Sequence, residues 1–276
     1  PQYDKIQALL RKTEQVGNGS VMMHIKVKDP EEKIDYLPGH VIALEIEDTT
    51  GTEMNEDTKN NGGWMRGPYT ITRATESSLD ILIRLVGKKS NLFAASRVDT
   101  PLRFGGKFKV PILDGVNNEE TKKVVLVSTG LGVITCMGAI ELAMQDESFP
   151  PIQLFACFKE QGDVVYRDYL DQLAKENPDK FQWQPVISSE TGRIASSEKN
   201  LEAFAKSIAG LDLADTHYHL IGNGQMVNEW KAGLAKAGVA TEKATFENYF
   251  NTRKEAEPSA VENIASVVTS ACAVKA

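Results

Sequence analysis

Val124-Val125-Leu126-Val127-Ser128-Thr129-Gly130-Leu131-Gly132-Val133 sets the fold class. Four consecutive apolar residues, three of them β-branched, read as a short strand buried on both faces. Two glycines one residue apart follow, and a helical pattern then runs through 135–146. Strand, glycine turn and helix in that order open a parallel sheet with crossover helices. The alternation continues downstream. Strands are expected at 152–157, 182–188, 217–221 and 244–249, with helices over 163–175, 199–208 and 225–237.

Upstream the period changes. Segments 21–28, 40–47, 68–74, 79–86 and 107–112 carry β-branched or alternating apolar residues. Leu37-Pro38-Gly39, Asn60-Asn61-Gly62-Gly63 and Gly105-Gly106 punctuate them, a spacing that predicts an antiparallel β-barrel. The polar stretch 48–63 is expected as a mobile loop. The fold class is therefore an antiparallel β-barrel followed by an α/β domain with a parallel sheet. The expected divisions are 1–115, 120–250 and an extension over 251–276. In that extension Ser259 and Glu262 fit a capping box, and Val261, Ile264, Val267, Val268 and Ala271 form one apolar stripe.

Composition narrows the function. The 276 residues carry a formal net charge of −7, which argues against a nucleic-acid binder. No apolar run approaches the ~20 residues that span a bilayer, and no signal segment opens the sequence. Cys136, Cys157 and Cys272 lack metal-ligand spacing, so the expectation is a soluble protein of a reducing compartment, cytoplasm or organelle interior (plastid stroma included), with no metal. His217 and His219 share one strand face and are more simply structural than ligating. Residues 1–115 hold 16 basic and 16 acidic side chains, so the acidity lies in the second half. Within the first half, 84–109 is basic: Arg84, Lys88, Lys89, Arg97, Arg103, Lys107 and Lys109 face only Asp99. That run reads either as a solvated face or as a site for phosphates or an acidic partner.

Three segments carry chemistry. The Gly130–Gly132 turn presents backbone amides at a helix start, where phosphates bind. Arg66-Gly67-Pro68-Tyr69-Thr70 places a flat ring and a hydroxyl on one strand. Gly222-Asn223-Gly224-Gln225-Met226-Val227 is a second strand–turn–helix junction on the carboxyl edge of the sheet, where open α/β sheets bind ligands.

In this order these segments, with Leu37-Pro38-Gly39-His40-Val41, Gly87-Lys88-Lys89-Ser90, Tyr166-Arg167-Asp168-Tyr169-Leu170 and Gly192-Arg193-Ile194, resemble the ferredoxin–NADP(+) reductase superfamily over about residues 20–250, closest to its bacterial branch. The resemblance implies a flavin barrel that binds FAD and a following domain that binds NADP(H) or NAD(H). It implies an FAD-dependent oxidoreductase that moves electrons between the nicotinamide and a protein or small-molecule acceptor. By the same analogy Tyr69 stacks on the flavin with Thr70 near its N5, and Arg66, Gly87, Lys88, Lys89 and Ser90 surround the pyrophosphate. Gly130, Gly132 and Thr135 line the nicotinamide nucleotide's phosphate turn. Ser188 and Arg193 approach the 2′-phosphate, and Gly222, Gln225 and Met226 complete the nucleotide site. A ferredoxin or flavodoxin-like protein is the partner expected at the basic 84–109 face.

The motifs also depart from that family's pattern. Gly67 stands where an arginine precedes the flavin tyrosine, and Ser189 where an arginine follows the second nucleotide motif. Ile221 replaces a cysteine, Thr135 a proline, and Cys157-Phe158 a basic residue. These departures define an alternative: a catalytically degenerate reductase-like chain that serves as a structural or docking subunit.

Overall fold

The computed structural model describes residues 2–49 and 55–272. The chain divides into two compact units, Pro1–Ile112 with Ile134–Ala139, and Leu113–Val133 with Ile140–Ala276.

In the first unit six strands close an antiparallel barrel. They are β1 (Ile6–Gln15), β2 (Ser20–Val27), β3 (Val41–Glu47), β4 (Trp64–Ala74), β5 (Ser78–Arg84) and β6 (Pro101–Gly105), ordered β1-β2-β5-β4-β3-β6 around the barrel. Alternate residues point inward, so Leu10, Met23, Ile25, Ile42, Leu44, Ile71, Ile81 and Phe104 fill a dry interior. Fully burying each such side chain contributes ~1.5–3 kcal/mol. Glu45 breaks the apolar rule on β3. Its fully buried carboxylate accepts from Arg103 directly across on β6, at 2.7 Å to Nε, and from the Tyr3 hydroxyl at 2.9 Å.

Two expectations need correction here. The strand expected at 107–112 is irregular chain, and the closing strand is β6 instead. Gly106 turns the backbone into the left-handed region at φ 79°, and Phe108 folds back edge-on to Tyr3. The apolar alternation at 108, 110 and 112 therefore does not mark a strand face, and Val110 is exposed. The polar stretch 48–63 contains a short helix, α1 (Glu56–Asn60), capped by the Asn55 side chain accepting from the Thr58 amide at 2.8 Å. Residues 50–54 lie outside the described residues. A second short helix, α2 (Lys88–Ala95), follows β5.

The second unit holds five parallel strands: β7 (Lys123–Thr129), β8 (Ile152–Phe158), β9 (Phe181–Ile187), β10 (Thr216–Asn223) and β11 (Ala244–Phe250). Their order is β11-β10-β7-β8-β9. The chain builds outward from β7 to β9, then returns to the other side of β7. This reversal opens a crevice between the carboxyl ends of β7 and β10, the place where such sheets take ligands. The connecting helices are α3 (Gly132–Gln145), α4 (Arg167–Glu176), α5 (Ser188–Thr191), α6 (Glu198–Ile208) and α7 (Gly224–Lys236).

A last helix, α8 (Pro258–Cys272), belongs to this unit's core. Ala260, Ile264, Val268 and Ala271 pack into a cluster with Phe204 of α6, Trp230 of α7 and Tyr218 of β10. Gly233 of α7 permits the close approach, since a Cβ there would lie 2.6 Å from Ile264. The capping box at Ser259 is not what starts this helix. Pro258 occupies its first position, where a missing amide hydrogen costs nothing and φ is already helical.

Candidate functional site

The first constellation lies on the barrel. Tyr69 sits on β4, half-buried, with its ring edge-on to Phe93 of α2 at 5.5 Å. Burial pushes its phenol up to about 12, so it remains neutral at physiological pH. Thr70 follows on the same strand, opposite Val41.

The residue before Pro68 is Gly67, and the space its side chain would fill is taken. A Cβ there would lie 2.4 Å from Lys89 Nζ and 2.8 Å from Lys89 Cε. Lys89 reaches from α2 across β4 and donates to the Arg66 carbonyl at 2.9 Å. A lysine from a different element thus stands beside Tyr69 where the strand itself offers no side chain. Desolvation lowers the Lys89 ammonium while Asp57 pulls it back. Arg66 forms a bidentate pair with Asp57 of α1, 3.1 Å from Nε and 2.5 Å from Nη2. Each partner stabilises the other's charge: Asp57 is held below its ordinary value by the Arg66 hydrogen bond, and Arg66 is raised.

Arg66, Lys88 and Lys89, with Asn55, Asp57, Thr58 and Met65, line a pocket of roughly 200 Å³. Ser90 is turned away from solvent. Its hydroxyl accepts from the Val86 and Gly87 amides at 2.9 and 3.0 Å and donates to the Gly87 carbonyl at 2.9 Å. It therefore shapes the turn before α2 and leaves anion contact to the lysines and the first-turn amides of that helix. Arg66 and Lys88 are paired with Asp57 and Asp48, so Lys89, whose ammonium donates to a carbonyl, is the cation best placed for a diphosphate, and the neutral phenol ring fits a flat aromatic ligand.

The basic run 84–109 is largely committed within the barrel. Lys88 pairs with buried Asp48 at 3.7 Å, Arg103 with Glu45, and Lys107 with Asp35 at 3.2 Å. Arg103 also lies 4.0 Å over the Trp64 ring.

The second constellation lines the carboxyl edge of the parallel sheet. Gly130 adopts φ 53°, a conformation other residues rarely take. A Cβ on Gly132 would lie 3.0 Å from the Ile221 carbonyl oxygen. Across the crevice Gly222 adopts φ 126°, and a Cβ there would lie 2.2 Å from Thr129 Oγ1. Thr129 Oγ1 accepts from the Asn223 amide at 2.6 Å, which ties the two turns together. Asn223 in turn caps α7 by accepting from the Gln225 amide at 2.9 Å. Both glycine turns are thus specified by close backbone approach at the sheet's point of reversal. Thr135 lies buried in the first turn of α3, and Met226 is buried on α7 within the core cluster.

Ser188 opens α5 after β9, while the neighbouring Ser189 donates to Glu160 at 2.9 Å. Arg193 does not stand alone. Its Nη2 donates to Glu229 at 2.6 Å, and its Nη1 lies 3.8 Å from Glu257. Gln225 Nε2 bridges both carboxylates at 3.1 Å each. Burial pushes the Cys157 thiol, at the end of β8, up to about 12, which leaves it without thiolate character at neutral pH. Among the described residues no cluster of three or more His, Cys, Asp or Glu is arranged to hold a metal, and no helix is long and apolar enough to cross a membrane.

Residues 126–231, from β7 to α7, match the family model of the oxidoreductase NAD-binding domain. A solved flavohemoglobin from Malassezia yamatoensis with bound FAD and heme superposes at a TM-score of 0.68, with 19% identity, over 89% of this chain and 60% of that one. The ferredoxin-NADP+ reductase of Plasmodium falciparum with 2'P-AMP superposes at a TM-score of 0.64, with 13% identity, over 89% of this chain and 96% of that one, and the chain shares the fold of both. Two curated relatives match in sequence. The NADH nitrate reductase of Volvox carteri is 27% identical over 173 residues, 54% of this chain and 20% of the relative. The anthranilate 1,2-dioxygenase electron transfer component of Acinetobacter baylyi (strain ATCC 33305 / BD413 / ADP1) is 21% identical over 243 residues, 86% of this chain and 64% of the relative. The chain thus spans less than two thirds of the length of either.

Several residues at these sites escaped the sequence. Asp57 lies in what reads as a loop, and Glu257 sits 32 residues beyond its partner Gln225. Glu229 itself had a signal, the helical spacing i, i+4 from Gln225. The placement of Lys89 over Gly67 had none.

Proposed function

We propose that this chain is an FAD-dependent oxidoreductase that takes electrons from a nicotinamide nucleotide and passes them to a separate acceptor. The observation that carries the reading is the pair of glycine turns locked together across the sheet reversal, inside a segment matching the oxidoreductase NAD-binding family. FAD supplies the hydride and single-electron chemistry when bound; the protein's part is to bind, orient and screen it. Tyr69 offers a neutral ring face, and Thr70 a hydroxyl beside it. Lys89 and the first amides of α2 meet the diphosphate, with Lys88 and Arg66 joining once they release Asp48 and Asp57. Gly130, Gly132, Gly222 and the start of α7 receive the nicotinamide nucleotide's phosphates, while Ser188, Gln225 and Arg193 border its adenosine end.

The electron acceptor is a protein in this reading, as in the dioxygenase electron transfer component that the chain resembles. A ferredoxin or flavodoxin-like acceptor at the 84–109 face is the specific form of the proposal. Arg97 and Lys109 are exposed cations there, while Arg103, Lys107 and Lys88 pair with carboxylates of the same chain.

The alternative, a reductase-like docking subunit, draws on the Arg66–Asp57 pair and the inward Ser90 hydroxyl. Tyr69→Ala decides between them. The substitution removes a half-buried ring, at a stability cost of about 1–2 kcal/mol. Under the reductase reading it also weakens FAD binding at least tenfold in a fluorescence titration. A folded variant that binds FAD as tightly as the wild type refutes the stacking role. A wild type that binds no FAD refutes the reductase reading itself.

A further inference from the structure

The nucleotide edge contains a charge cluster that the proposed function leaves unexplained. The family resemblance assigns Arg193 to the adenosine end of the site, and its guanidinium is already committed. Glu229 accepts from it at 2.6 Å with a side chain that has no solvent exposure at all. Gln225 holds the other oxygen of Glu229 at 3.1 Å and ties it to Glu257 of the C-terminal extension. Glu257 also lies 3.8 Å from Arg193. One cation thus faces two carboxylates, and the more buried of them has no water to replace its partner. Drawing Arg193 away would leave a charge unpaired in a low-dielectric site, a heavily penalised state.

The neighbouring turns add further carboxylates beside Lys159 and Arg167. After β8, Glu160 accepts from Ser189, and after β9, Glu190 accepts from Gln161 at 3.2 Å. Ser189 itself carries no charge. A 2′-phosphate brings about two negative charges and needs uncommitted, bidentate cations. A ribose 2′-hydroxyl needs only a hydrogen-bond acceptor, and carboxylates supply one.

We infer that Glu229, acting through Arg193 and supported by Gln225 and Glu257, makes this edge discriminate against a 2′-phosphate, so the chain takes the unphosphorylated dinucleotide. The inference rests on the nucleotide-binding reading above and deepens it. Glu229 is a positioning residue: it fixes the cation rather than touching the nucleotide. The C-terminal extension thereby gains a part in nucleotide choice, since Glu257 enters the cluster from the chain immediately before α8.

Calorimetric titration of the full chain with ADP-ribose and with 2′-phospho-ADP-ribose tests this at low salt, without turnover. The wild type binds ADP-ribose at least as tightly as its 2′-phosphorylated form. Glu229→Gln keeps the shape but removes the charge and leaves one acceptor oxygen for two donors, Gln225 and Arg193, which frees the guanidinium. It tightens 2′-phospho-ADP-ribose on the order of tenfold, with ADP-ribose changed less than about twofold. Glu257→Gln, at a half-exposed position that tolerates substitution, shifts the same ratio in the same direction by about two- to threefold. A wild type that prefers the phosphorylated ligand tenfold overturns the inference. So does a pair of folded variants whose ligand ratios stay at the wild-type value. Binding of neither ligand by the wild type overturns the nucleotide-site reading itself, and this inference with it.

Discussion

Lys89→Met isolates the cation that stands in for the side chain Gly67 lacks. Methionine keeps the length of the stem over β4, so no void opens beside Tyr69 and only the ammonium is lost. In the structure that ammonium donates to one backbone carbonyl, the Arg66 oxygen at 2.9 Å. A charge-assisted hydrogen bond to a diphosphate contributes ~1.5–3 kcal/mol, and giving up the carbonyl offsets about 1 kcal/mol of it. The net loss is therefore about 1–2 kcal/mol, a five- to thirtyfold weaker FAD complex. Fold stability moves by less than about 1 kcal/mol, because a half-exposed bond of this kind adds little. The assay is quenching of FAD fluorescence on titration with apoprotein, repeated across a salt series. The variant's affinity also depends less steeply on salt, because one ionic contact has gone. Gly67→Ala provides the reciprocal change. Its Cβ collides with Lys89 Cε and Nζ, the flexible end of the chain, so the lysine swings away and affinity falls in the same direction. The two substitutions together cost little more than one alone, as expected for groups sharing one contact. If both single variants bind FAD within twofold of the wild type at low salt, Lys89 is not the diphosphate cation.

Two further predictions concern stability. Burial works to raise Glu45, but hydrogen bonds from Tyr3 and Arg103 outweigh it and hold the carboxyl below its ordinary value. Its contribution is present above the unfolded carboxylate range and is lost as pH falls through the lowered folded value. Arg103→Met leaves the buried carboxylate with only the Tyr3 hydroxyl and the partly exposed Lys5 ammonium, costs about 2–4 kcal/mol and moves acid unfolding to higher pH. A denaturant midpoint and acid transition matching the wild type contradict this. His217 and His219 share Thr245 as a partner, at 3.2 and 2.8 Å, and burial lowers them to about 4 and about 3. Both are neutral in the fold, so stability is complete above the unfolded histidine range near 6.5 and drains away as pH drops toward 4. A His219→Gln variant shows a shallower fall of thermal midpoint over that window; an identical pH slope rules out this linkage.

The α/β half was the more legible part of the chain. Its strands are short apolar runs buried on both faces, and β7, β8, β10 and α6 to α8 lie within one to three residues of expectation. The barrel read less completely. β1 carries Arg11, Lys12, Glu14 and a register shift between Leu10 and Lys12, which breaks the alternation that marks a strand. β6 begins at a proline and ends at a glycine, so it looks like a loop although it closes the barrel. The apolar alternation just beyond it, at Phe108, Val110 and Ile112, mimics a strand that Gly106 prevents.

The sites divide in the same way. The glycine turns are visible because backbone geometry demands glycine at Gly130 and Gly222. The charge partners are not, since Asp57, Lys89 and Glu257 meet their partners only through tertiary packing. The family resemblance implies a phosphate near Arg193; only the fold reveals that Glu229 already holds it.

The proposed function has the two glycine turns take the nicotinamide nucleotide and the cationic barrel pocket take FAD. Its most direct test is the visible absorption spectrum of the purified chain, loaded with FAD and then mixed anaerobically with NADH. The account predicts a flavin band that bleaches on mixing, with NADPH slower than NADH. A chain that takes up no FAD, or a flavin band that NADH and NADPH both leave unchanged, contradicts it.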